Sequence, residues 1–537
     1  MHLKRVNVKS ARRVSMKYKL ELYNNVMILS PVINDNRFTL TESVVFPDKL
    51  LKKMTFWNKR LRTYSEIKKL KEKNPKKKVS KITGSLAKLY DIANTEDGIS
   101  LMTFPGFAAE CIKFLSDAGH EISIIDNRII HNYDIEKARP ILYDYQMEAV
   151  KEALKYQSGI ITLPTGTGKT YICAGIIKAI DKEHLNNISA SIIAVISPGV
   201  DLADKNYKAL KELLPDRNVG IITGNKKKYS DDVVVITPES FKNVPSDQVG
   251  VIIYDEVHSL SQKRAEDIID CDKAIRIGLS ATPTGRFDGG DAVVKGVIGP
   301  IIFKQTYKEA VALGAVVPIK VLWLDLIKPD NYEPEKFTDK TVAYRWLLWR
   351  NNLFIACLHK LLELIPDEIQ TLCLIESLEQ MARFINKKYY PYVHGETDPK
   401  KFNDKRYFGL KAIKTKDRKR FYNAVRNGSI RKIISSGIYR VGVDFPEIAV
   451  VINASGRGSQ IIAGQLPGRA SRKAEGKTCS YIIDFWHEWD RDEKNKPGHI
   501  LKDDMSRAKT YGSLELGFEQ IHFNSLTDII NTILNNG

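Results

Sequence analysis

Beyond Arg139 the chain alternates between short, almost purely apolar runs and stretches with helical spacing. The runs "GIITL", "ISASIIAVIS", "VGIIT", "DVVVIT", "GVIIYDE" and "AIRIGLS" lack the every-second polar position of a strand with one face in water. Strands that are apolar on both faces fit a parallel sheet covered by helices on either side. After "GAVVPIKVLWL" a second series follows, with "TLCLIES", "YYPYVHG", "IRKIISSG", "AVVINA" and "CSYIIDFW". The pattern predicts an α/β protein with two tandem parallel-sheet domains, over residues 139–318 and 319–490. Ahead of them, "GFAAECIKFLSDAGHEISIIDNRI" reads as an amphipathic helix and then a strand, closing a small α+β leading domain over residues 1–138. Behind them, "HILKDDMSRAKTYGSLELGFE" keeps helical periodicity, so residues 491–537 are expected to form a helical tail bracing the second α/β domain.

Charge adds a partner class to this outline. The chain has 537 residues, a net charge of +19 and a pI near 9.3, which favours a polyanion, nucleic acid first and an anionic membrane second. From Lys49 to Lys88 there are fifteen Lys or Arg against two Glu. Within that segment "MTFWNKRLRTY" interleaves aromatic and cationic side chains, so Trp57, Lys59, Arg60 and Arg62 are candidate nucleic-acid contacts, bases stacking on rings while cations meet phosphates. No apolar run is long enough to span a bilayer. The six cysteines are scattered without a metal-ligand spacing, as expected of reduced core thiols in a cytoplasmic setting. The basic opening "MHLKRVNVKSARRVS" has no apolar core of a secretory signal, leaving a phosphate-seeking arm or an organellar import segment.

Chemistry enters with "ITLPTGTGKT", a strand, a glycine-rich turn and a helix start in the order that a phosphate-binding loop needs. Thr165, Gly166, Thr167 and Gly168 form the turn, whose N–H groups and helix dipole make an anion nest. Lys169 is placed to reach the β- and γ-phosphates and Thr170 to put its hydroxyl on Mg²⁺. The first glycine of the usual pattern is Leu163 here. In "VIIYDEVH", Asp255 and Glu256 follow an apolar strand directly, at the edge where open α/β sheets bind ligands. Asp255 is suited to the metal and Glu256 to orienting and deprotonating the attacking water.

With these elements in place, the stretch from Arg139 to about Trp489 resembles the superfamily-two helicases and translocases, whose motor is a pair of RecA-like domains. "LYDYQ" looks like the adenine-recognition segment, implying that Gln146 reads the adenine edge, although the family often has Arg where Tyr143 stands. "SPGVDLADK" and "ITPESF" match strand-contacting motifs, implying nucleic-acid contacts from Pro198 and Thr237, with Gly199 and Lys205 in place of the usual Thr and Gln. "GLSATPTGRFDGG" resembles the motif coupling hydrolysis to domain movement, with Ser280, Thr282 and His258 in that role. "HGETD", "SSGIYRVGVDFPEI" and "QLPGRASR" match three further motifs in order, implying a strand contact from Ser435, a nucleotide contact from Asp444, and catalytic roles for Gln465, Arg469 and Arg472. The two arginines, at i and i+3, are the expected arginine fingers.

"DEVH" together with "QLPGRASR" is unlike the DEAD-box RNA helicases and resembles the duplex-DNA group of XPB, the type III restriction translocases and phage UvsW-type recombination helicases. Arg286-Phe287-Asp288 departs from the Arg-Glu-Asp of XPB-like proteins. The resemblance implies an ATP- and Mg²⁺-dependent DNA helicase or translocase acting on branched or duplex DNA in recombination, replication or repair, monomeric when free. An RNA helicase or transcript-release factor, a restriction translocase subunit and a catalytically silent binding module are the alternatives. Between His394 and Phe421 a basic stretch with Lys400, Lys401, Lys405, Arg406, Lys411, Lys414 and Lys416 is expected to be an extra DNA-contacting loop.

Overall fold

The structure is a computed structural model describing residues 16–32, 46, 48–51, 54–61, 82–95, 98–286, 288–330, 332–337, 339–395, 403–436, 445–458, 467–513 and 516–535. The chain forms two compact units, residues 1–162 with 168–304, and residues 163–167 with 305–537.

The first unit opens with β1 (Lys17–Leu22) and β2 (Met27–Val32), an antiparallel pair. A separate ribbon pairs β3 (Thr55–Leu61) with β4 (Ile82–Lys88). Trp57, Lys59 and Arg60 lie on β3, but their side chains, and all of Arg62, fall outside the described residues. Next come β5 (Tyr90–Thr95), β6 (Gly98–Thr103), helix α1 (Ala108–Asp117) and β7 (Glu121–Asp126), giving a five-stranded sheet of order β5-β6-β2-β1-β7. β7 runs parallel to β1, as a strand returning through a helix does.

The larger sheet of this unit has eight strands in the order β11-β10-β12-β9-β13-β14-β8-β15. They are β8 (Ser158–Thr162), β9 (Ile192–Ile196), β10 (Val219–Ile222), β11 (Lys227–Lys228), β12 (Val233–Ile236), β13 (Val249–Asp255), β14 (Ile275–Ser280) and β15 (Ile301–Lys304). All but the β10–β11 pairing are parallel. Every residue of β9, β10, β12, β13 and β14 is buried, which explains why their sequences are almost wholly apolar, with Asp255 ending β13 and Arg276 and Ser280 on β14 as exceptions. Helices α2 (Asp144–Tyr156), α3 (Lys169–Ala179), α4 (Val200–Leu213) and α5 (Asp291–Ile298) belong to this layer.

The small sheet and the large one share one hydrophobic core. The two approach closely at Gly296 of α5, where a Cβ would come within 2.8 Å of both Phe104 and Phe107. Lys295 forms an ion pair with Glu110 of α1. Arg276, on β14 and 2% exposed, donates to the carbonyls of Asn24 at 2.5 Å and Cys271 at 3.1 Å. Burial lowers its pKa to about 10.

The second unit holds a seven-stranded, all-parallel sheet of order β18-β19-β17-β20-β21-β16-β22. Its strands are β16 (Ile319–Asp325), β17 (Thr371–Leu374), β18 (Tyr392–Val393), β19 (Lys432–Ser435), β20 (Val450–Asn453), β21 (Ser480–Trp486) and β22 (Glu519–Phe523). Residues 491–537 are not wholly helical: between α6 (His499–Tyr511) and α7 (Leu526–Asn535), β22 joins the edge of the sheet beside β16. "EQIHF" mixes half-exposed and exposed positions, so it lacks the apolar run that marks the inner strands.

Candidate active site

The turn between β8 and α3 has the backbone that its glycines permit. Gly166 and Gly168 take φ values of 99° and 84°, a region costly for other residues, and Gly168 caps α3. A Cβ on Gly168 would also collide with the Gln146 amide. Gln146 is 2% exposed, accepts from the Tyr143 backbone N–H at 3.0 Å and donates to the Tyr145 hydroxyl at 3.3 Å. Tyr143 is 73% exposed, a ring open to a flat ligand. Thr167 is fully buried and donates to the Pro164 carbonyl at 2.8 Å, bracing the turn from within.

Just beyond the turn, Lys169 Nζ lies 3.0 Å from Glu256 Oε1. Glu256 has φ 49°, a left-handed conformation rare for a non-glycine residue, which turns the chain sharply at the end of β13. Asp255 accepts from the Glu256 N–H at 3.0 Å and from Asn206 Nδ2 at 2.9 Å. Burial, and after it the adjacent Glu256 charge, holds the Asp255 carboxyl above its ordinary pKa, with Lys169 and Asn206 acting the other way. Thr170 donates to Asn206 Oδ1 at 3.4 Å, so the hydroxyl and the carboxylate converge on one amide. A carboxylate and a hydroxyl are hard oxygen donors of the kind Mg²⁺ takes, its remaining positions filled by water and phosphate oxygens. No cluster of three or more His, Cys, Asp or Glu side chains suited to a metal occurs among the described residues.

A third layer joins this pair to β14. His258 Nδ1 lies 3.0 Å from Ser280 Oγ and 3.5 Å from Glu256 Oε2, and burial lowers its pKa. Ser280 Oγ accepts the Thr282 N–H at 3.1 Å. Arg286 donates to the carbonyls of His258, at 2.7 Å, and Leu260, while Asp288 holds it through two bonds at 2.9 and 2.6 Å. The Asp-Glu-Val-His turn is thus fixed from both sides.

A family profile described as "Type III restriction enzyme, res subunit" matches residues 139–285, the segment that carries this geometry up to Arg286. The chain is similar to proteins of the XPB, UvsW and type III restriction group. It is 26% identical over 377 residues to the DNA 3'-5' translocase XPB2 of Sulfurisphaera tokodaii, covering 62% of this chain and 79% of that one. It is 24% identical over 361 residues to the ATP-dependent DNA helicase uvsW of Enterobacteria phage T4, covering 64% and 67%. Three other curated relatives are matched over only 56% to 59% of their own length. Among solved structures, a putative HsdR subunit fragment of a type I restriction enzyme from Vibrio vulnificus superposes with a TM-score of 0.50 at 17% identity, covering 81% of this chain and 78% of that one, a likeness of fold.

The remaining superfamily-two positions are distributed as follows. Pro198 is half-buried at the turn into α4, beside exposed Gly199 and Val200. Thr237 is 3% exposed and donates to Ser240 Oγ at 3.0 Å. In the second unit, Ser435 ends β19 fully buried and donates to the Ser436 carbonyl at 2.8 Å. Both hydroxyls are therefore engaged locally. Arg472 follows the short helix Pro467–Ala470, and burial lowers its pKa to about 10. Asp444, Gln465 and the Arg469 side chain lie outside the described residues, as do Lys400, Lys401 and the Lys416 side chain. Asn206 is the site residue that the sequence alone did not disclose, since it stands in no motif spacing that announces its partners; Arg286 stood out only for its departure from a family pattern.

Proposed function

We propose that the chain is an ATP-dependent DNA helicase or translocase acting on duplex or branched DNA. One observation carries the chemical half of this reading: Thr170 and Asp255, from separate elements, meet on Asn206, while Lys169 faces Glu256. Thr170 and Asp255 would hold Mg²⁺, which when bound neutralises phosphate charge and polarises the scissile bond. Gly166, Thr167 and Gly168 offer backbone N–H groups to phosphate oxygens, and Lys169 exchanges Glu256 for the β- and γ-phosphates. Glu256, released from Lys169, accepts the proton of the attacking water. Tyr143 offers a stacking face for adenine and Gln146 its edge. Arg469 and Arg472 supply cationic charge to the γ-phosphate in the transition state, and Ser280, Thr282 and His258 pass the change at Glu256 to β14.

DNA as the track is supported by the relatives' names, by the net charge of +19 and by the basic segment after His394. Grip through phosphates makes movement indifferent to base sequence. Steady-state ATP hydrolysis measured with single strands, duplex, forks, four-way junctions and RNA tests the proposal. Stimulation by forks or junctions above single strands is expected; stimulation by RNA alone overturns the DNA assignment. Arg472→Ala is expected to slow stimulated hydrolysis by about 10³ to 10⁵.

A further inference from the structure

We infer that Asn206 is the positioning residue of the metal site, setting the Thr170 hydroxyl and the Asp255 carboxylate relative to each other and tying both to α4. The inference rests on the proposed role of Thr170 and Asp255 as the metal-holding pair. Asn206 is 3% exposed and makes three side-chain bonds: it accepts from Thr170 Oγ1 at 3.4 Å and donates to Asp255 Oδ2 and Ser197 Oγ, both at 2.9 Å. These partners sit on different elements, the first turn of α3, the end of β13 and the residue after β9.

The direction of each bond matters. Thr170 spends its only proton on Asn206, which turns the hydroxyl lone pairs to a cation. Asp255 receives one donor on each oxygen, Asn206 on Oδ2 and the Glu256 N–H on Oδ1, so the carboxylate is oriented while keeping lone pairs for a ligand. A neutral amide is the side chain that can accept from one ligand and donate to the other. A carboxylate at this position would add like charge beside Asp255, and a lysine would neutralise Asp255 in the cation's place. Outer partners of this kind fix metal ligands and are costly to remove.

The placement on α4 gives the amide a second consequence. Asn206 stands six residues after Val200, about 9 Å along the helix at 1.5 Å per residue. The helix begins at the Pro198-Gly199 turn, the proposed strand contact, so a shift of that turn is carried to the metal pair through a rigid element.

The test is fluorescence titration of mant-ADP into the full chain, with Mg²⁺ and with EDTA, for wild type, Asn206→Ala and Asn206→Leu. Both variants should bind mant-ADP like wild type in EDTA and lose about 10- to 100-fold of the Mg²⁺-dependent gain in affinity. Ser197→Ala, which keeps Asn206 but releases one of its bonds, should lose part of that gain and decides the matter if the Asn206 variants do not fold. A Mg²⁺-dependent gain equal to wild type in these variants overturns the assignment. A wild type with no Mg²⁺-dependent gain instead overturns the metal-pair reading on which it stands. A single-stranded oligonucleotide should shift the Mg²⁺-dependent affinity of wild type and not of Asn206→Ala; an equal shift in both removes the link through α4.

Discussion

Asp255 in the first unit and Asp484 in the second are both buried on parallel strands, yet their surroundings differ in kind. Arg507 grips Asp484 with two bonds of 2.9 Å and reaches Asp504 at 2.9 Å. Asn453 at 2.9 Å and the Tyr511 hydroxyl at 3.1 Å also donate to Asp484. Burial works against the Arg507 charge, but Asp484 and Asp504 outweigh it and push its pKa up. Asp255 has an amide and a backbone N–H as its donors, and the nearby cation, Lys169, is turned to Glu256. A buried acid saturated by the protein's own cation is structural, whereas Asp255, held by neutral donors, is left to the cation that the proposed function assigns to it.

The largest effects should come from breaking the unsaturated side. Glu256→Gln is expected to cut ATP turnover by about 10² to 10⁴ while leaving nucleotide binding intact, read by steady-state hydrolysis beside mant-ADP titration. Asp255→Asn should abolish Mg²⁺-dependent hydrolysis yet raise the melting temperature, because it removes a disfavoured buried charge; a lower melting temperature would erase the contrast with Asp484. On the saturated side, Arg507→Leu should destabilise the second unit by about 3 to 5 kcal/mol in urea, leaving two buried acids without their cation.

Acid should separate the units more gently. Burial keeps His120, His131 and His258 of the first unit below their ordinary pKa, against His359 alone among the described residues of the second. Their contribution is complete above about pH 6.5, the unfolded value, and is lost as pH falls below it, because the unfolded chain takes up protons that the buried imidazoles refuse. Five of the six tryptophans, Trp323, Trp346, Trp349, Trp486 and Trp489, lie in the second unit and dominate the fluorescence, with Trp57 alone in the first. Far-UV circular dichroism should therefore register early acid unfolding before tryptophan fluorescence does, and His131→Gln should narrow the gap. The smallest effect is expected at the surface. Lys405 and Lys411 are exposed, so Lys405→Glu and Lys411→Glu should each lower the salt slope of DNA binding by about 0.7 to 0.9.

The inner strands and the phosphate loop were legible because each is announced locally. β9 and β12 are apolar at every position and β13 and β14 at most positions, as strands inside a covered sheet must be, and Gly168 must precede Lys169 for the chain to wrap at φ 84°. The edge strands β11, β15 and β22 escaped notice because exposure on one side relaxes that demand. Asn206, and the hold of Arg286 on the His258 and Leu260 carbonyls, escaped for another reason. Their partners are distant in sequence, and an asparagine inside "LADKNYKAL" reads no differently from one facing water.

By itself, the sequence determined the two α/β layers, the phosphate-binding turn and the pair of carboxylates, since periodicity and glycine placement act over a few residues. Only the tertiary structure decided that Thr170 and Asp255 share one amide, that Arg286 locks the turn after them and that Asp484 is neutralised from within, because hydrogen bonds and buried charge depend on which surfaces meet.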